Sequence, residues 1–206
     1  MISLTLNNQQ LKARPDQTIL DIIKANRINI PTLCHLPGKS SRDKPRAVCR
    51  ICVVEIKGVN GLVSACSTKA TEGMEILTHS KPVINSRKVL MEFILAEHQG
   101  LKEGEDNRVR QLSDEIGVNS SRFTLPINAT TSVNKPLSEY FDIDSSRCIH
   151  CDRCIVACET RKVIARSGFG YNIVNSFGGE PGIDASNCSY CGDCMAACPA
   201  EGIRRV

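Results

Sequence analysis

Twelve of the 206 residues are cysteine, and their spacing is the first feature of the chain that points to chemistry. Cys148, Cys151, Cys154 and Cys158 form a C-x2-C-x2-C-x3-C run, and Cys188, Cys191, Cys194 and Cys198 repeat that spacing. Three thiolates at i, i+3 and i+6 on a tight loop reach three of the four irons of one cube. The fourth, further along, is expected to start a helix that points away and to reach a neighbouring cube. The expected ligand sets are therefore crossed. One [4Fe–4S] cluster takes Cys148, Cys151, Cys154 and Cys198, and the other takes Cys188, Cys191, Cys194 and Cys158. Crossing holds two one-electron centres close together. Zinc knuckles use paired C-x2-C or Cys/His sets instead of two runs of four. Pro199 follows the last cysteine as the motif expects, whereas Glu159 stands at that place in the first run. Ala157, Gly192, Ala196 and Ala197 are small enough for the loops to wrap closely.

The other four cysteines, Cys34, Cys49, Cys52 and Cys66, lie in the first third of the chain. Their central C-x2-C and distant fourth member match a plant-type [2Fe–2S] arrangement, but the first gap is longer than the usual four residues. Spacing alone leaves a structural zinc site as the alternative. No cysteine occurs between 67 and 147. Two cluster-bearing ends joined by a helical stretch are expected.

The elements that must position these thiols are legible in the hydrophobic pattern. ISLTL, a turn at NNQQ and LKAR read as a hairpin, which Pro15–Asp16 stops. TILDIIKANRI has helical spacing through Ile19, Ile22 and Ile23, with Asp16 as the expected N-cap. Short strands are expected at 52–57, 62–67 and 74–78, with Gly58 and Gly61 in the first turn. Residues 80–98 form the strongest helix, with Ser80 as N-cap and Pro82 in the first turn. Its apolar face is Val83, Leu90, Met91, Ile94 and Leu95, and Gly100 lies past its end. A second helix is expected over about 107–116, ended by Gly117. Residues 120–140 are rich in Ser, Thr, Asn and Pro and read as a linker.

Composition excludes several classes. A Cys-rich chain is either secreted and disulfide-bonded or intracellular and metal-binding. The N-terminal residues lack a basic segment followed by an apolar one, so no secretory signal is expected. No apolar run reaches the roughly 18–20 residues of a membrane span. A reducing cytoplasm is the expected location. The formal charge of +4 does not argue for nucleic acid. A cluster held by four thiolates is a net anion, so the basic surplus offsets the clusters, and residues 39–46 read as a solvated loop. No Gly-rich phosphate loop, flavin fingerprint or nucleophile–base set is present. The chain is expected to relay electrons without a substrate site of its own.

The segments IPTLCHLPG, CRICVVEI and LVSACSTKATEGMEILT resemble the β-grasp [2Fe–2S] domain of one family. It comprises the iron–sulfur subunit of complex I (the 75-kDa or G-type subunit), the diaphorase-side subunit of NAD-reducing hydrogenases, and the N-terminal parts of [FeFe]-hydrogenases and NAD-linked formate dehydrogenases. RCIHCDRCIVACE and SNCSYCGDCMAACPAEGI are similar to its two [4Fe–4S] runs. The resemblance implies that Cys34, Cys49, Cys52 and Cys66 hold a [2Fe–2S] cluster and that the long gap after Cys34 is normal. It also implies two partners, a flavin-bearing NAD(P)H dehydrogenase subunit and a second redox catalytic subunit such as a hydrogenase or formate dehydrogenase.

One departure from the family is large. Its middle cluster uses a His and three Cys just after the long helix. Here His98 stands in the histidine's place, but Lys102 and Glu105 replace the first two cysteines and the third is absent. No middle cluster is expected, and His98 becomes an ordinary helix-end residue. Electrons between the [2Fe–2S] and the cubes then cross through a partner's cluster, or the [2Fe–2S] is a side branch. His35 and His150 neighbour ligands and read either as hydrogen-bond donors to sulfur or as surface residues. His79 is expected to be exposed. Arg50, between two ligands, reads equally as a charge near the cluster or as a solvent-facing residue.

The expected architecture is α+β: a β-grasp [2Fe–2S] domain over 1–79, a helical connector over 80–119, a linker over 120–140, and a two-[4Fe–4S] ferredoxin-like domain over 141–206. The rival functions are a free-standing polyferredoxin-like carrier and a redox-sensing iron–sulfur protein.

Overall fold

The computed structural model describes residues 1–37, 47–98, 106–124, 141–158, 161, 163–167, 174–177 and 185–205. The basic stretch 39–46, Lys102 and Glu105, Glu159 and most of the expected linker lie outside them.

The N-terminal half is built on a five-stranded sheet in the order β2-β1-β5-β3-β4. Strands β1 (Ile2–Leu6) and β2 (Gln9–Ala13) form an antiparallel hairpin. Asn7 and Asn8 alone make its turn, both at positive φ, the conformation that a two-residue hairpin turn demands and asparagine tolerates. The turn is thus tighter than the four residues of NNQQ. Strand β5 (Glu75–Leu77) runs parallel to β1, and β3 (Val53–Ile56) pairs antiparallel with both β5 and β4 (Leu62–Ser64).

Helix α1 (Ile19–Ala25) buries Ile19, Leu20, Ile22 and Ile23 in a core shared with Leu4, Leu6, Val54, Ile56 and Ile76 of the sheet. Its N-cap is Thr18 instead of Asp16. The Thr18 hydroxyl accepts from Asp21 N at 3.2 Å, and the Asp21 carboxylate accepts from Thr18 N at 2.9 Å. This reciprocal box satisfies two donors at once, and Asp16 is left on the surface beside Arg14. Replacing Thr18 by Ala is expected to cost about 1 kcal/mol. A urea midpoint that falls with an unchanged slope would report it, and an unmoved midpoint would contradict it.

Helix α2 (Lys81–Glu97) starts at Ser80 with Pro82 in its first turn and ends at a buried His98. Its buried face is Val83, Arg87, Met91 and Ile94, with Leu90 and Leu95 packed at its side. Arg87 was not part of the expected apolar face. Helix α3 (Arg108–Ile116) is capped by the Asn107 side chain, which accepts from Val109 N and Arg110 N, and closes on Gly117 at φ 75°. That left-handed position is where a residue without Cβ is favoured.

The C-terminal third is short elements around cysteine loops. Strand β6 (Phe141–Ile143) pairs with β9 (Ile203–Arg205), and β7 (Ile164–Ser167) with β8 (Val174–Phe177). Helices α4 (Arg153–Ala157) and α5 (Asp193–Ala197) pack on one another, and Cys158 and Cys198 each end a helix instead of starting one, because the turn before each helix is already left-handed at Asp152 and Gly192. Among the described residues no helix is long and apolar enough to cross a membrane.

One buried core joins the two halves. Leu33, Cys34 and Ile51 from the first, Met91, Ile94, Val109 and Leu112 from the connector, and Ile149, Cys151 and Ala200 from the last pack together. Two polar contacts reinforce it. The Arg153 Nη1 donates to Leu33 O at 3.3 Å, and Val109 N donates to Pro199 O at 3.3 Å.

Candidate metal centres

All twelve cysteines are free thiols, and they gather into three groups. The first joins the 34 loop, the 49–52 loop and the end of β4. Cys34, Cys52 and Cys66 are buried and Cys49 is half-buried. Their sulfurs form a hydrogen-bonded chain from Cys49 to Cys34 to Cys66 to Cys52. Cys34 N also donates to the Cys49 sulfur at 3.4 Å. The Cys34 thiol is held well below the usual range because Cys49 and then Cys66 donate to it. As donors, Cys49 and Cys66 are pushed up. Cys52 is lowered to about 7, chiefly by Cys66. The four sulfurs thus lie close enough to share protons, and the thiolate is the form in which such a set binds metal.

The second group lines a cavity of about 390 Å³, counting its open mouth. Cys148, Cys151, Cys154 and Cys198 face it, with Ile149, Pro199 and Ile203 around them. The third lines one of about 380 Å³ with Cys158, Cys188, Cys191 and Cys194. Each cavity therefore draws three sulfurs from one run and the fourth from the other.

Local backbone explains how three sulfurs of each run face inward. His150 and Asp152 have φ 51° and 62°, and the matching Tyr190 and Gly192 have φ 55° and 77°. A left-handed residue on either side of the second cysteine curls both loops the same way. Gly192 adopts that conformation freely, whereas Asp152 does so against its Cβ. Arg50, between Cys49 and Cys52, is left-handed too, at φ 57°.

Burial sets the electrostatics of the cube-sized cavities. It pushes the Cys151 thiol up to about 12 and Cys194 up to about 11, and raises Cys154 and Cys158. A cationic iron–sulfide core offsets the cost of holding such thiols ionised. Donors already point at sulfur. Gly202 N donates to Cys198 Sγ at 3.2 Å, and Arg161 Nη1 to Cys191 Sγ at 3.4 Å. Gly202 permits this approach because a Cβ there would meet Asp144 O at 3.3 Å. Donor set, enclosure and sulfur-directed N–H groups all suit iron–sulfur clusters.

Exposure is graded across the groups. Cys151 and Cys154 are 8% and 7% exposed, whereas Cys191 is open to solvent beside Tyr190 at 49%. Arg50 is exposed and donates to Leu62 O at 3.4 Å, and His79 is exposed as expected. His35 and His150 are half-buried beside their cysteines. Three charged residues of the site were not anticipated from the sequence. Arg87 is 5% exposed and Arg147 is 2% exposed, and Arg153 spans the two halves. The available signal for Arg87 was its place four residues from both Val83 and Met91, on the apolar stripe. Arg147 holds the β6–β9 end through Ala200 O at 3.3 Å and Asp144 at 3.6 Å.

Comparison with known proteins agrees with this geometry. Residues 1–81 match a 2Fe-2S iron–sulfur cluster binding domain and residues 147–201 a 4Fe-4S dicluster domain. The HndD subunit of the NADP-reducing hydrogenase of Solidesulfovibrio fructosivorans is 31% identical over 78% of this chain and 28% of its own length. The gamma subunit of the NAD-reducing hydrogenase HoxS of Cupriavidus necator is 28% identical over 75% of this chain and 64% of its own. A G-type subunit of the NADH-quinone oxidoreductase of Rhizobium meliloti is 31% identical over 77% of this chain and 19% of its own. The chain thus spans between a fifth and two thirds of the length of these relatives. A crystal structure of NAD+-reducing [NiFe]-hydrogenase in the H2-reduced state contains a chain of the same fold. Its TM-score is 0.79 at 23% identity, covering 99% of this chain and 87% of that one. One [2Fe–2S] and two [4Fe–4S] clusters are the cofactors that these domains carry.

Proposed function

We propose that this chain, a member of the iron–sulfur subunit family of NAD(P)-linked hydrogenases and complex I, relays single electrons between a flavin-bearing NAD(P)H dehydrogenase subunit and a second redox catalytic subunit or ferredoxin. The carrying observation is the shared core: Cys34 and Cys49 pack in the same buried cluster as Cys151 and Cys198. Bound clusters supply centres that accept and release one electron each, with potentials set by their type, hydrogen bonding and exposure.

The ligand sets are read as Cys34, Cys49, Cys52 and Cys66 for the [2Fe–2S]; Cys148, Cys151, Cys154 and Cys198 for the inner cube; and Cys188, Cys191, Cys194 and Cys158 for the outer one. The protein's part is to hold these sulfurs on rigid elements and keep water from the path. Apolar side chains between the first two groups exclude solvent, and the Arg153–Leu33 contact holds the loops in register. The path then needs no middle cluster, and the [2Fe–2S] is an in-line member instead of a side branch. At the far end, Cys191 and Tyr190 form the open face through which electrons leave or enter. Similarity to subunits of larger oxidoreductases favours a subunit of a complex over an isolated carrier. The domain boundaries follow the same reading, 1–79, 80–119, 120–140 and 141–206, and reduced thiols agree with the cytoplasm.

Iron, acid-labile sulfide and zinc assays on anaerobically purified protein test this. About ten iron and ten sulfide per chain are expected, with negligible zinc. Colourless protein, or zinc in place of iron, would refute it. Co-purification under native conditions is expected to retrieve a flavoprotein.

A further inference from the structure

Arg87 sits inside the molecule with its charge unmatched by any carboxylate among the described residues. It lies on the face of α2 that packs on β3, one turn from Val83 and one from Met91, and is 5% exposed. Its Nη2 donates to Val53 O at 2.8 Å, and Val53 directly follows Cys52. Its Nε is buried without a hydrogen-bond partner. Taking a cation out of water costs roughly several kcal/mol unless an anion compensates it. The nearest anion the chain offers in the centre's ligand set is at Cys52, next in sequence to the carbonyl that Arg87 holds, and its charge acts on the guanidinium.

The geometry points to Arg87 as the residue that sets the potential of the centre held by Cys34, Cys49, Cys52 and Cys66. This inference rests on the cluster reading above. Reduction of a thiolate-held centre adds one electron and breaks no bond. The buried positive charge therefore favours the reduced form over the oxidised one and raises the midpoint potential. A charge buried between α2 and β3 acts through a low dielectric, and salt screens it little. The bond to Val53 O anchors the fork to the strand that follows Cys52. Arg50, nearer in sequence to the ligands, is exposed to water and has far less leverage.

The test is a dithionite titration of the whole chain followed by electron paramagnetic resonance, on wild type, Arg87→Gln and Arg87→Lys. Gln retains a donor for Val53 O without the charge, and Lys retains the charge. Arg87→Gln is expected to leave the [2Fe–2S] about tenfold less reduced at a given potential. That is a shift of about 59 mV to the negative. Arg87→Lys should stay within threefold of wild type, and the two cubes should not move in either variant. A Gln variant with a loaded [2Fe–2S] at the wild-type potential overturns the inference alone. A wild type with no [2Fe–2S] signal overturns the cluster reading and this inference with it. Should the Gln variant fail to hold iron, the Lys variant decides. A potential within threefold of wild type upholds the charge role, and a tenfold displacement with the charge conserved overturns it.

Discussion

Replacing Cys158 by Ala is expected to remove the cluster of the other cysteine run and to spare that of its own. Cys158 ends the first run in sequence, yet it lines the cavity formed by Cys188, Cys191 and Cys194. Helix α4 carries it there. Cys154 begins the helix at one cavity, and Cys158 N, capping its end, donates back to Cys154 O at 3.0 Å. One turn of helix therefore separates the two cavities. Loss of a single thiolate from a four-ligand set leaves an iron site without its anion. Iron should fall from about ten to about six per chain. The discriminating comparison is spectral. Cys158→Ala and Cys191→Ala should leave the same residual signals, because both lose the outer cube, whereas Cys158→Ala and Cys151→Ala should leave different ones. Matching residual spectra for Cys158→Ala and Cys151→Ala would show that ligation follows the sequence run and would sink the crossed reading.

Anaerobic removal of iron is expected to unfold residues 141–205 while the five-stranded sheet persists. The two regions have very different means of support. The sheet and α1 share an apolar core that includes Leu4, Leu6, Ile19, Leu20, Ile23, Val54 and Ile76. In the last third, α4 and α5 are five residues each and the strands three or four. Helices below roughly 12 residues do not hold by themselves in water. The apolar core there is Phe141, Ile143, Val163, Ile164 and Ile203, interleaved with Cys154 and Cys158. Metal–thiolate binding contributes on the order of 10 kcal/mol in small metal-dependent folds, enough to decide folding here. Hydrogen exchange before and after chelation measures it. Amides of β6 and β9 should lose protection by roughly a hundredfold or more, while those of β1, β3 and β5 change little. Undiminished protection in β6 and β9 would refute the claim.

Much of this molecule was legible before folding, because cluster chemistry is encoded at short range. The spacing 148–151–154 and its repeat specify a loop that presents three thiols to one core, whatever surrounds it. The end of α3 at Gly117 is equally local. Where local alternatives were nearly equal, the expectation slipped. Thr18 displaced Asp16 as cap because Asp21, three residues on, completes a reciprocal pair with it.

The sequence by itself pointed to the number and kind of clusters and to the N-terminal strands and the helices α1 to α3, but placed none of β6 to β9, α4 or α5. Tertiary structure alone decided which two of the three thiol groups pack in one apolar core, which face of the outer group meets water, and where the buried charges lie. Arg153 and Leu33 are 120 residues apart, and their contact exists only because α2 and α3 pack against both ends of the chain. Arg87 reads as a surface residue in isolation, and the packing of α2 on β3 is what turns it inward beside Cys52. Ligand spacing is set by bonds along the chain. The distance between centres, and the charge that each one feels, are set by what the folded chain buries.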